Sequence, residues 1–289
     1  MKVSRLISRR LLMLPLSIWV LVTAVFLLTE AMPGDPAQLI AGSFASEEVV
    51  SDIRLELGLD RTPLQRYGDY WAGVAHGDLG TSLFTKQAVT SEIERRFPAS
   101  LEMVLTALVL STVVGVLVGV VGATFRNRWP DRLVRLYIVT WQAVPVFVVG
   151  LGLIYVVWFL LGWAPAPVGR LPIGVSPPER VTGFYTVDSL LAGDWALART
   201  SLAHLILPAL SLTMVFSASI GKTARGAMMD ALSSDRAEYS LACGLPSWQV
   251  TRYALLTART PIMTYAAIVF AQVIGGSAVI EVVFSWQGV

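Results

Sequence analysis

The chain is 289 residues long, 55% hydrophobic and only 15% charged, with a net charge of +2. Soluble domains carry about a quarter charged residues, so this composition excludes an ordinary soluble globule and points to a bilayer. One cysteine excludes an internal disulfide, and two histidines far apart in sequence offer no metal-ligand spacing.

In chain order, Lys2, Arg5, Arg9 and Arg10 precede a first apolar stretch over residues 11–29. Its apolar core exceeds the ~7–15 residues of a signal peptide and no A-x-A site follows, so a retained helix is expected. Residues 30–100 hold three amphipathic starts. "SEEVVSDIRLELGLD" has an N-cap at Ser46 and a stop at Gly58. "TPLQRYGDYWAGVAHGDLG" opens with Pro63 at the first helical position and closes on a Gly77/Gly80 turn. "TSEIERRFPAS" is a third start, which Pro98 is expected to interrupt. Tyr70 and Trp71 suit the membrane interface, and the same surface suits a soluble docking partner.

Four more apolar stretches follow, at 101–125, 133–161, 201–220 and 262–284. Each is near or above the ~20 residues a spanning helix needs, and a lone apolar strand would leave its backbone unpaired in lipid. Five spanning helices are therefore expected. Pro145 should kink the third. Glu102 sits near a boundary, no lysine, arginine or aspartate lies deep in a span, and no buried ion pair is expected. Gln142, Ser211, Thr213, Ser217, Ser219, Gln272 and the Gly-Gly-Ser at 275–277 are polar but uncharged. For any one of them interhelical hydrogen bonding is the simpler reading; together they suggest an uncharged polar path. Residues 162–200 are rich in Pro and Gly and read as a loop bracketed by Trp163 and Trp195.

Thirteen of the 22 basic residues fall at the N-terminus, in the 126–135 loop and in the 221–261 segment, beside only four acids. Positive-inside bias places those segments in the cytoplasm and residues 30–100 and 162–200 outside. The organisation expected is a cytoplasmic N-terminus and first helix over 1–29, an extracytoplasmic amphipathic segment over 30–100 and a transmembrane core over 101–289, with a polar loop at 225–260.

That loop contains "RAEYSLACGLPSWQV" from Arg236 to Val250. Asp235 can cap a short helix running to Cys243, Gly244 suits the left-handed residue that ends it, and Pro246 falls near the start of a second short helix. A DNA-binding helix-turn-helix is excluded, because the segment is tethered to spans at both ends and is not strongly basic. "IGKT" at 220–223 lacks the upstream glycine of a phosphate-binding loop.

The loop resembles the cytoplasmic signature of permease subunits of ATP-binding cassette importers of the dipeptide/oligopeptide/nickel type. That signature is Glu-Ala-Ala, three residues, then Gly. Glu238 matches its Glu, Tyr239 and Ser240 stand for the alanines, and Gly244 matches its Gly. "MPGDP" at 32–36, "LGLDRTPLQRYGDYW" at 57–71, "GDLGTS" at 77–82, "ERRFPASLEM" at 94–103, "HLILPALSL" at 204–212 and "EVVFSWQGV" at 281–289 are similar to the same family in order and spacing. The downstream Ile-x-Leu-Pro part is echoed only loosely near Pro261.

The resemblance implies an all-α polytopic membrane protein with the type I importer permease fold, and a sixth span beyond Val289. It also implies a multi-pass protein of the bacterial inner membrane with a cytoplasmic N-terminus. Its partners would be a second permease subunit, two cytoplasmic ATPases that bind ATP and Mg, an extracytoplasmic binding protein and a peptide substrate. No cofactor is expected in this chain. Arg236, Glu238, Tyr239, Ser240, Gly244, Leu245 and Pro246 would form the coupling helix that fits a cleft in the ATPase. Gln142, Pro145, Ser211, Ser217, Gln272 and Ser277 are candidates for the path, and Asp60, Tyr67, Trp71 and Asp78 for binding-protein docking. Nickel chelates or oligosaccharides are alternative cargoes. An intramembrane enzyme would need paired aspartates or a Ser/His couple, for which only Ser201 and His204 offer themselves. A passive channel would conduct without ATP.

Overall fold

The computed structural model describes residues 2–288 other than 32, 33, 43, 44, 57, 83, 84 and 86. Met32, Pro33, Leu57 and Val289 of the motifs quoted above thus lie outside the described residues. The described chain is helical, with one isolated bridge between Thr81 and Ala88. It divides into two units, Met1–Glu92 and Ile93–Val289.

In the first unit, α1 spans Lys2–Ala31 and presents bare apolar side chains along Leu11–Ala31, with Leu12 77% exposed. Such a surface is at home in lipid. Asp35 caps α2 (Pro36–Ala41) and pairs with Arg54 of α3 (Glu47–Glu56). The Arg54 guanidinium holds the Asp35 carboxyl below its ordinary pKa. α3 begins directly after Ser46, and Gly58 takes a φ of +62°. α4 (Pro63–Ala75) opens with a capping box between Thr62 and Gln65 and is followed by Gly77 and Gly80, both at φ +80°.

In the second unit, α9 (Trp195–Leu232) is the central helix. Around it pack α6 (Trp129–Ala143), α7 (Val146–Leu153), α8 (Tyr185–Leu191) and α11 (Ser247–Val283). α5 (Val89–Thr124) lies against it through Gly115 and Gly119, which continue at four-residue spacing a buried stripe of small residues that includes Ala107 and Ser111. At the two glycines no side chain intervenes, and the α5 backbone approaches α9 closely. α10 (Asp235–Ala242) joins α9 to α11.

Among the described residues four helices are long and apolar enough to span a membrane, or five when the bent pair α6–α7 counts as one. The third expected span is the bent one. It breaks by 102° between Ala143 and Val146, and a π-helical turn continues α7 over Ile154–Leu160. Val144 is extended because a residue preceding proline resists the helical conformation.

Two expectations require correction. Pro98 does not interrupt α5, which runs unbroken from Val89 to Thr124. A proline there strands the carbonyl of Glu94, four residues back. Arg180 donates Nη2–H to that carbonyl at 2.7 Å and satisfies it from the 162–184 loop. Nor is the helix after Gly244 short: it is the first turn of the 37-residue α11, so the elbow feeds directly into a spanning helix.

Candidate functional site

The elbow is built from local backbone rules. α9 ends at Leu232, and Ser234 occupies the N-cap of α10 without a side-chain cap bond. The expected cap, Asp235, is instead the first helical residue, where its charge suits the helix dipole. At the far end Leu245 N–H donates to Ser240 O at 3.1 Å and Gly244 N–H to Leu241 O at 2.9 Å. That pair of bonds is a Schellman motif, and Gly244 takes its left-handed residue at φ +78°. Pro246 is the N-cap of α11.

Ala237 is the one buried residue of α10, and Arg236 and Ser240 flank it toward α11. Arg236, Glu238, Gly244 and Pro246 are exposed and Leu245 is half-buried. Ser240 turns its hydroxyl back to Arg236 O at 2.7 Å. Tyr239 is 71% exposed, and Leu241 and Trp248 also stand free of the bundle. A groove of ≈ 510 Å³ runs between α9 and α11 beside the elbow, lined by Thr223, Gly226, Asp230, Thr257 and Pro261.

The candidate path residues divide by burial. Ser211, Ser217 and Ser277 are buried, whereas Gln142, Pro145 and Gln272 are exposed. Ser211 and Ser277 bond backbone carbonyls of their own helices, and Ser217 meets Tyr137 of α6 across a 2.7 Å hydroxyl pair. Gln142 donates to Ser219 at 3.4 Å. The docking candidates sit in the first unit. Tyr67 bonds Thr23 of α1 at 2.6 Å and packs edge-on against Phe26 and Trp71. It therefore ties α4 to α1. Asp60 and Asp78 are exposed, and Asp78 accepts from Gly80 N–H at 2.8 Å.

The buried charges contradict the expectation of none. Glu102 of α5 accepts from Arg170 Nη2 at 2.7 Å, with both side chains under a tenth exposed. The same carboxylate accepts Tyr185 N–H at 3.2 Å and Thr186 N–H at 2.9 Å at the start of α8. Arg170 also donates to Gly183 O at 2.8 Å and lies over the Tyr185 ring at 3.4 Å. Trp286 is buried at the same end and donates Nε1–H to Ala99 O at 2.9 Å. Asp188 closes the neighbouring turn, accepting from the backbone of Val181, Thr182 and Gly183 and from the Thr182 hydroxyl. Burial pushes its carboxyl up, but those donors outweigh it and hold the pKa below the ordinary value.

The second pair, Arg225 and Asp131, joins α9 to α6. Arg225 Nε and Nη2 reach the two carboxylate oxygens at 2.7 and 3.1 Å. Both pairs escaped the sequence reading because their partners lie 68 and 94 residues apart, and neither follows a period. The one available signal was Glu102 itself, since an acid at a span edge needs a partner. The Ser201/His204 couple does not assemble: the imidazole Nδ1 lies 2.9 Å from Thr200 O of its own helix.

Two family models match this chain. The binding-protein-dependent transport system inner membrane component matches residues 111–289, and the N-terminal model of the same membrane component matches residues 3–104. The chain belongs to this family. It is an inner-membrane permease of the ATP-binding cassette importers, of the dipeptide/oligopeptide type, and a multi-pass transport protein rather than an enzyme. It is 39% identical over 264 residues to the probable D,D-dipeptide transport system permease of Escherichia coli K12, covering 91% of this chain and 77% of that protein. It is 32% identical over 283 residues to the glutathione transport system permease of the same strain, covering 98% and 83%. A glutathione permease of Shigella flexneri gives the same identity and coverage.

Proposed function

We propose that this permease imports short peptides across the inner membrane, driven by partner ATPases that grip the α10 elbow. The reading rests on one observation above all. α10 leaves Tyr239 and Leu241 uncovered and Trp248 is exposed at the start of α11, on a turn that feeds straight into that helix. A short helix that projects apolar side chains on both sides fits into a groove on a partner, which would cover them. In this reading the elbow faces the cytoplasm, where the basic residues gather. Closure of the ATPase pair pushes α10, and the Schellman turn passes that push to α11 with little bending.

The chain itself supplies shape rather than chemistry. A second permease completes the path, and a binding protein outside delivers the cargo. Relatives named for D,D-dipeptides and for glutathione favour small peptides. An uncharged path suits varied peptides, because no fixed charge selects among their side chains.

Gly244→Val tests the coupling. A Cβ at Gly244 meets nothing within 4 Å, so the substitution acts only through its φ of +78°. An L-residue in that conformation costs roughly 1–2 kcal/mol, a population shift of about 5- to 30-fold toward other elbow geometries. The variant should reach the membrane at wild-type levels, while binding-protein-stimulated ATP hydrolysis and uptake fall about tenfold. Unchanged uptake would remove the elbow from the mechanism. Uptake of labelled D,D-dipeptide and glutathione, compared with longer peptides, tests the substrate class.

A further inference from the structure

The Arg225–Asp131 pair occupies a position that hydrogen bonding alone does not account for. Arg225 lies two turns before the end of α9, the helix that enters the elbow. Asp131 is fully buried in the first turn of α6 and also accepts Asn127 N–H at 3.0 Å, at a residue held at φ +62°. It thereby fixes the turn between α5 and α6. The Arg225 side chain crosses the bare face of Gly122 on α5, where a Cβ would come within 3.0 Å of Arg225 Cδ and 2.8 Å of Val134 Cγ1. Three helices thus meet at one charged joint: α5 through Gly122, α6 through Asp131 and α9 through Arg225.

We infer that Arg225 and Asp131 are positioning residues for coupling, carrying displacement of the elbow from α9 into α6 and the α5–α6 turn. The inference rests on the coupling role proposed above. The physical case is stiffness. The two-pronged Arg–carboxylate bond fixes angle as well as distance, unlike a point-charge contact. Burial of Asp131 shields the pair from water that would otherwise let it slide. Without the joint α9 can shift against α6, because the contacts between the two helices beyond it are the Tyr137–Ser217 hydroxyl pair, the long Gln142–Ser219 hydrogen bond and side-chain packing. A lysine at 225 keeps the charge but loses the fork.

The test uses the assembled importer, purified through a tag on this chain, in a Cys243→Ser background. A single reporter cysteine is placed at Thr140 on α6 or at Thr257 on α11, both exposed, and its maleimide labelling rate is compared with and without ATP and vanadate. In the parent both reporters should change rate. In Arg225→Lys and Asp131→Asn the Thr140→Cys response should fall at least about fivefold, while Thr257→Cys responds as in the parent. Equal responses at both positions in the variants would overturn the joint as a transmitter. Loss of both responses together with loss of assembled protein would reduce the pair to a folding contact. No ATP response at either reporter in the parent would overturn the elbow's coupling role, and the joint with it.

Discussion

Gly119→Ala is expected to cost this permease most of its folded form, although it adds one methyl group. The new Cβ would lie against Ala224 Cβ, 2.8 Å from Arg225 N and 2.9 Å from the Ala224 carbonyl carbon. Two of those three atoms are backbone, so no rotamer change relieves the overlap. α5 and α9 must separate, and separation also loosens Gly115, whose Cβ position lies 2.8 Å from Ser217 O and from Ile220. Overpacking of this kind costs about 1–3 kcal/mol and more where neither side yields. Small residues carry helix association in lipid because dispersion between close backbones replaces the absent hydrophobic drive. Gly152→Ala is the matched control: it lies in α7, has nothing within 4 Å of its Cβ, and should be neutral or slightly stabilising. Thermal unfolding in detergent reads both. Equal midpoints for the two variants would refute close packing at this seam.

What the residues reveal and what they conceal follows from the range of the forces involved. The apolar stretches and the Gly244 turn depend on neighbours within a few residues, and both are legible. Pro145 is legible as a kink for the same reason, although its 102° depends on how α7 packs on α9 and α11. Pro98 misleads because the local rule counts a lost hydrogen bond, while Arg180 restores the accepting group from 86 residues away. Helix ends are also misjudged. Hydropathy marks the part inside lipid, whereas α9 at 38 residues is about 57 Å long and continues well beyond a bilayer core of about 30 Å. The polar extensions place Arg225 and the elbow where they can act. Among the path candidates, Ser211, Ser217 and Ser277 carry helix-packing bonds, which a count of polar residues in a span does not separate from a lining role.

Glu102→Ala should be among the most damaging single changes outside the α5–α9 seam. It removes the partner of Arg170 and strands the two backbone N–H groups of Tyr185 and Thr186. Breaking a buried ion pair from one side costs about 3–5 kcal/mol, because the remaining charge keeps its desolvation without its partner. Arg170→Met leaves a carboxylate that still accepts two N–H donors, so its cost should be smaller, near 2–3 kcal/mol. The double variant leaves no unpaired charge, and its cost should fall well below the sum of the singles. The decisive quantity is therefore the coupling term from the four unfolding midpoints, expected at about 2 kcal/mol or more. An additive result would mean that the pair is held apart by water and contributes nothing to the fold. Trypsin adds a spatial reading at Arg180, whose guanidinium holds the Glu94 carbonyl that Pro98 leaves open. Faster cleavage there in Glu102→Ala than in the double variant would place the damage in the 162–184 loop. The charge pair would then be what keeps that loop closed over the end of α5.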